Sequence, residues 1–289
     1  MNTLTHEKRC AVIRCLVDGC SVRATTRITR VAKNTIQKLT RELGQALLEY
    51  HDNVVRKVKA QRVQCDEVWC FCYAKDKNLP DEMRGQPSVG SMWTWTAIDA
   101  DSKLMIGWRL GAQDAKTAHA FIEDVEIRLA NRVQLTTDGN AVYLEAVLDA
   151  FAEIDYAMLQ KLYGKSSETE AETRYSPAKC NGTKRKVIMG NPDPKHISTS
   201  YVERENLNIR MQNRRFTRLT NAFSKKAKML YYSLAITFFY HNFVRIHGCR
   251  SRDPYPCRSH LDPPAVVQRD LILIAAFGRH PSPQHQEFV

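Results

Sequence analysis

Between residues 62 and 164 the chain switches hydrophobic period in an order that restricts its fold more than any other feature. "RVQCDEVWCFCYA" alternates around Val63, Cys65 and Val68, and "SMWTWTAIDA" and "KLMIGWRLGA" follow with turn residues between them. Period-two runs joined this closely predict three strands in an antiparallel meander. "DAKTAHAFIEDVEIRLANR" then reads as a helix capped by Asp114, and "VQLTTDG" as a short buried strand ending at Asp138-Gly139. A second helix, "NAVYLEAVLDAFAEI", and a last strand, "DYAMLQKLYG", complete the series. A strand reached through a helix returns parallel to its neighbour.

Three antiparallel strands, helix, strand, helix, strand is the order of a ribonuclease-H-like α/β fold, a mixed sheet flanked by helices. There the first and fourth strands lie side by side and parallel, so Asp66 and Asp138 face each other across one strand spacing of ~5 Å. Two carboxylates bind a divalent metal only if a third ligand closes the site. The stretch "TSYVERENLNIRMQNRRFTRLT", residues 199–220, reads as one helix able to bring a glutamate there. Residues two apart on a helix point about 200° away from each other, so only one of Glu203 and Glu205 can face the site. The face of Glu203 continues through Asn206, Leu207, Arg210 and Arg214, with basic groups suited to phosphate; that of Glu205 carries Asn208, Ile209 and Gln212. Glu203 is therefore the expected third ligand, and Arg210 and Arg214 are expected on DNA.

The first fifty residues divide into "THEKRCAVIRCLVDG", "SVRATTRITR" and "NTIQKLTRELG", with Ser21 and Asn34 as N-caps and stops at Gly19 and Gly44. This is the helix-turn-helix pattern, whose third helix would offer Asn34, Thr35, Gln37, Lys38 and Arg41 to the major groove. Arg30 sits where such turns usually carry glycine. Twelve basic against five acidic residues in the first sixty, within a net charge of +12, suit a polyanionic partner. The expected layout is a helix-turn-helix domain at 1–48, a helical linker at 49–61, the catalytic domain at 62–247 with a polar loop or insertion at 165–198, and an irregular proline-rich tail at 248–289. A long apolar helix is expected over 222–246; its run "MLYYSLAITFFYHNFV" is short for a membrane span and contains His241 and Asn242. Nine cysteines without paired metal-ligand spacing read as buried small hydrophobes in a reduced, cytoplasmic protein.

"TTDGN", "YVERENLNIR" and "RRFTRLTNAFSKK" resemble the DDE transposases of bacterial insertion sequences, in particular the insertion-sequence-one-like group. The resemblance extends from the helix-turn-helix to about His247. It implies catalytic, metal-holding roles for Asp66, Asp138 and Glu203, and matches Arg210 to a basic residue of the family. "YHNFVRIH" looks like the family's closing segment, which implies that Asn242, Arg245 and His247 border the site. Beyond His247, "GCRSRDPYPCRSHLDPPAVV" replaces the family's usual ending. The resemblance further implies two Mg²⁺ ions, with Mn²⁺ able to substitute, and double-stranded DNA partners in the form of terminal inverted repeats and a target. Bringing two DNA ends together implies a homo-oligomer, and the resemblance implies a cytoplasmic, nucleoid-associated bacterial protein. A ribonuclease-H-like nuclease without strand transfer, and a catalytically inactive DNA-binding regulator, are the alternatives.

Overall fold

The computed structural model describes residues 4–86, 88–163, 180–218 and 220–245. His247, the tail at 248–289 and residues 165–179 of the expected insertion lie outside the described residues. Three helices come first: α1 (His6–Val17), α2 (Val22–Thr29) and α3 (Lys33–Val54). The hydroxyl of Thr5 caps α1, and that of Ser21 caps α2 by accepting from the Ala24 N–H at 3.1 Å. The turn after α2 places Arg30 in the left-handed region, φ 59°, a conformation that costs a side chain roughly 1–2 kcal/mol.

The third helix departs from expectation at both ends. It begins at Lys33 on Ala32, which has no side-chain cap, so Asn34 lies inside it. It also runs through Gly44 to Val54. A Cβ at Gly44 would fall 2.4 Å from Cβ of Tyr232. This glycine is there for close helix packing, not for a stop. Leu43, Leu47, Val55, Val58 and Ala60 join the main core, so the expected linker is packed against the rest of the chain.

The sheet has six strands in the order β3-β2-β1-β4-β5-β6. These are β1 (Arg62–Cys72), β2 (Gly90–Asp99), β3 (Met105–Gly111), β4 (Gln134–Asp138), β5 (Asp155–Tyr163) and β6 (Cys180–Met189). β1 pairs antiparallel with β2 and parallel with β4, and β4 is parallel to β5. The first five strands therefore have the expected ribonuclease-H-like arrangement. The sixth is a correction: 180–189, expected as loop, pairs antiparallel with β5. Its polar sequence hides it because both faces of this end strand are largely exposed, so no apolar alternation is required.

Helices α4 (Ala115–Arg128), capped by Asp114, and α5 (Val142–Ala150) connect β3 to β4 and β4 to β5. Phe121 and Tyr143 from these helices meet Trp95 of β2 at ring-centroid distances of 5.9 and 5.2 Å. The apolar run forms α7 (Ala227–Phe239), continued by one π turn over Tyr240–Val244. It packs on α3 and on Trp108, and no helix among the described residues is long and apolar enough to cross a membrane.

Candidate active site

Helix α6 (Ser200–Gln212) lies on the sheet face that carries Gln64 and Asp66. Its first N–H groups need acceptors, and β1 supplies one: the side-chain oxygen of Gln64 accepts from Tyr201 at 2.9 Å and Val202 at 3.2 Å. One turn on, the Asn206 amide donates to Oδ2 of Asp66 at 2.8 Å. The Thr96 hydroxyl donates to the Asp66 carbonyl at 3.1 Å, which ties β2 into the same network. Sequence-adjacent groups on two distant elements thus fix where the helix docks.

The parallel ladder pairs Cys65 with Thr137, so Asp66 and Asp138 come next in register at the carboxyl end of β4. Ligand oxygens of Asp66, Glu67 and Asp138 all lie within 4.8 Å of one another. Glu67 was not expected, because alternation along a strand puts it on the opposite face from Asp66. The signal lies in strand length. β4 ends at Asp138 whereas β1 continues to Cys72, so Glu67 has no β4 residue beside it and its carboxylate meets the end of that strand. The Asn140 amide holds it at 2.8 Å, while the Asn140 N–H donates to Asp138 at 3.0 Å.

Crowding three carboxylates in a largely buried place penalises their charged forms. Burial, then Asp138, pushes Asp66 up to about 7. Burial, Asp138 and Asp66 push Glu67 up to about 8. Asp138 is raised by burial and further by Glu203. Such a set of hard oxygen donors fits Mg²⁺ or Mn²⁺, whose charge relieves the repulsion.

Glu203 is near enough for its charge to be felt by both aspartates, but its carboxylate is not part of the 4.8 Å group. It takes an ion pair from Lys161 of β5 and a 2.5 Å hydrogen bond from the Thr199 hydroxyl. Glu205 points elsewhere. It is buried, with Oε1 3.1 Å from Nδ1 of His241 and Oε2 accepting from Asn208 at 2.8 Å.

The basic stripe is shorter than expected. Arg210 is half-buried on α6 and held below its ordinary value by burial and then by Arg218, with Asp66 acting in the opposite direction. Arg214 is no longer on the helix. Asn213 leaves helical geometry, its side chain donating to Thr237 and accepting from Ser233, each at 3.1 Å, so Arg214 begins a separate 3₁₀ turn to Phe216. Leu207 points to solvent. Asn242 clamps the backbone of Met105 with two hydrogen bonds of 2.9 and 3.0 Å, a structural task for the start of β3. Arg245 lines a cleft of about 570 Å³ on the Glu205 side of α6, with Arg62, Lys103 and Tyr201.

On α3, Asn34, Gln37, Lys38 and Arg41 are exposed and Thr35 is half-buried, while Ile36, Leu39 and Thr40 face inward. Lys38 forms an exposed ion pair with Glu42 at 3.7 Å. The five residues expected at DNA therefore occupy the outer side of the first half of the helix.

No protein-family model matches the chain, and no curated protein matches it. Among solved structures, it is similar to the Mos1 transposase paired-end complex with left transposon end, at 13% identity and a TM-score of 0.22 over 52% of this chain and 57% of that one. It is also similar to the piggyBac transposase synaptic complex with hairpin DNA, at 11% identity and 0.33 over 99% and 80%. The chain thus spans little more than half the length of the Mos1 chain. Likeness at this level carries no argument about activity.

Proposed function

We propose that this protein is a DNA transposase, cutting phosphodiester bonds at the ends of a DNA element and joining them to a target. The observation that carries the reading is the carboxylate group of Asp66, Glu67 and Asp138, where the end of β4 meets the middle of the parallel strand β1, with Arg210 beyond it on α6. When bound there, divalent metal would supply Lewis-acid polarisation of a phosphodiester and a nucleophile at neutral pH. The protein's own part is placement. Asn206 and Asn140 orient Asp66, Asp138 and Glu67, and Gln64 anchors the helix that brings Glu203 and Arg210 alongside. The exposed polar side of α3 is assigned to the element's terminal repeats, and strand joining requires two ends and therefore more than one copy of the chain.

The test is incubation with labelled linear DNA and Mg²⁺, scoring both nicking and joined products. Asp66→Asn and Asp138→Asn should lower cleavage by ~10³-fold or more, because each removes several kcal/mol of metal-centred stabilisation while leaving DNA binding intact. Comparison of Glu67→Gln with Glu203→Gln identifies the third ligand. Loss of activity only in Glu203→Gln means that Glu203 leaves Lys161 to complete the centre; loss only in Glu67→Gln assigns the role to Glu67. Nicking without joining would favour the nuclease, and full cleavage by Asp66→Asn would remove the catalytic reading.

A further inference from the structure

Strand β6 has no acidic residue, and it exposes Lys184, Arg185 and Lys186 in succession. Edge strands often carry cations simply to deter pairing with another sheet, and that purpose is served whichever face the cations occupy. The register here separates them. Asp66 and Asp138 are adjacent by extension of the Cys65–Thr137 pair, Asp138 pairs with Leu159, and Leu159 pairs with Arg185. Residues directly opposite one another in a sheet share a face. Arg185 therefore stands in the same transverse row, and on the same face, as the two aspartates. Lys184 and Lys186 fall on the other face by alternation. Contacts from α6 agree with this assignment, since Asn206 reaches Asp66 and Glu203 reaches Lys161, two residues along β5 from Leu159. Leu159 itself is buried with Ala157 and Ile197, so the row between the aspartates and the arginine has an apolar floor.

Given the reading that the carboxylate centre cuts DNA, we propose that Arg185 binds a backbone phosphate of the strand engaged there. β4 and β6 are two strand spacings apart, ~10 Å. At ~3.4 Å of helix axis per nucleotide, that places the contacted phosphate about three nucleotides from the scissile one. Arginine suits the task because its planar fork takes two phosphate oxygens at once.

Full-length wild type, Arg185→Ala, Arg185→Lys and Lys184→Ala are titrated with a mixed-sequence duplex at a series of salt concentrations. Arg185→Ala should reduce affinity several-fold and lower the log–log salt slope by about one, with an unchanged melting curve. Arg185→Lys should keep the slope, and Lys184→Ala should leave it unaltered. An unchanged slope in Arg185→Ala overturns the proposal, as does an equal fall in Lys184→Ala, which would mean only a diffuse edge charge. Position is read from Mg²⁺-dependent cleavage of duplexes carrying one uncharged methylphosphonate at successive nucleotides from the cut. Wild type should be impaired at about three nucleotides and Arg185→Ala indifferent there; equal sensitivity of the two proteins overturns the assignment. If wild type binds DNA and Arg185→Ala matches it, only the Arg185 role falls, whereas wild type that fails to bind removes the transposase reading together with it. Binding without cleavage removes the catalytic reading and leaves the slope to decide whether Arg185 contacts phosphate.

Discussion

Asp66 and Glu67 hold protons up to about 7 and about 8 in the folded chain, against ~4 for ordinary carboxylates in the unfolded one. Between those values the native state binds more protons than the unfolded state, so stability falls as pH rises. Metal-free protein should therefore melt progressively lower as pH is taken from about 4 to about 8. At the upper end Mg²⁺ should raise the melting temperature, by about 2.7 kcal/mol of stability at a hundredfold excess over its dissociation constant. Asp66→Asn removes one repelled charge and one ligand, so it should flatten the pH dependence and weaken the response to Mg²⁺. Scanning calorimetry of both proteins across pH, with and without the ion, checks this; an unaltered Mg²⁺ response in the variant contradicts the ligand assignment.

Two contacts between elements are open to similar tests. Gly44 lets α3 approach α7 so closely that a methyl group would overlap Tyr232. Gly44→Ala should cost about 1–3 kcal/mol through overpacking, although alanine is the better helix former. Urea denaturation measures the difference, and a stabilised variant would mean that the two helices separate freely. Beside α6, His241 lies between two acceptors, the Glu205 carboxylate at 3.1 Å and the Lys103 carbonyl at 2.7 Å. These two contacts link α6, the β2–β3 turn and the end of α7 through one buried side chain. His241→Ala leaves the buried carboxylate without its partner and should lose about 3–5 kcal/mol. Glu205→Gln should be destabilising in the same denaturation assay, so any fall in its activity must be read against its unfolding curve.

Across the whole molecule, the N-terminal helices and the sheet share one core. Ile13, Val17, Leu43 and Leu47 pack in the same cluster as Val63, Leu135 and Phe238. Arg128 of α4 adds a polar link, donating to Asp52 at 2.9 Å, Asp124 at 2.8 Å and the Val55 carbonyl at 3.1 Å. Among the described residues, the first helices also form a small separate cluster of Val12, Val31, Ile36 and Leu39, with Leu4, Leu16 and Val22 packed against it. A fragment of residues 1–48 should accordingly melt broadly, without the cooperative transition of the full chain, when followed by circular dichroism. A sharp transition in that fragment would show that its own cluster suffices and that the exposed polar face of α3 can be studied alone.

Local chemistry was enough to determine the first five strands, the helices between them and the caps at Ser21 and Asp114, because hydrophobic period and side-chain capping act within a few residues. The pairing of Asp66 with Asp138 was legible for a related reason: parallel crossover connections leave few topologies for that element order. Where the reading missed, the deciding group was distant in sequence. Gly44 looked like a helix stop until Tyr232 occupied the space beside it. Asn213 ended α6 by bonding to Ser233 and Thr237. β6 exists by hydrogen bonding to β5, which needs no apolar pattern of its own. Glu67 joined the carboxylates because β4 is five residues long beside an eleven-residue β1, and Glu203 met Lys161 because β5 runs beneath α6. A chain's periodicity sets which elements form and which faces are apolar. Which side chain reaches which depends on where strands end and helices dock, and that is set only when the elements pack.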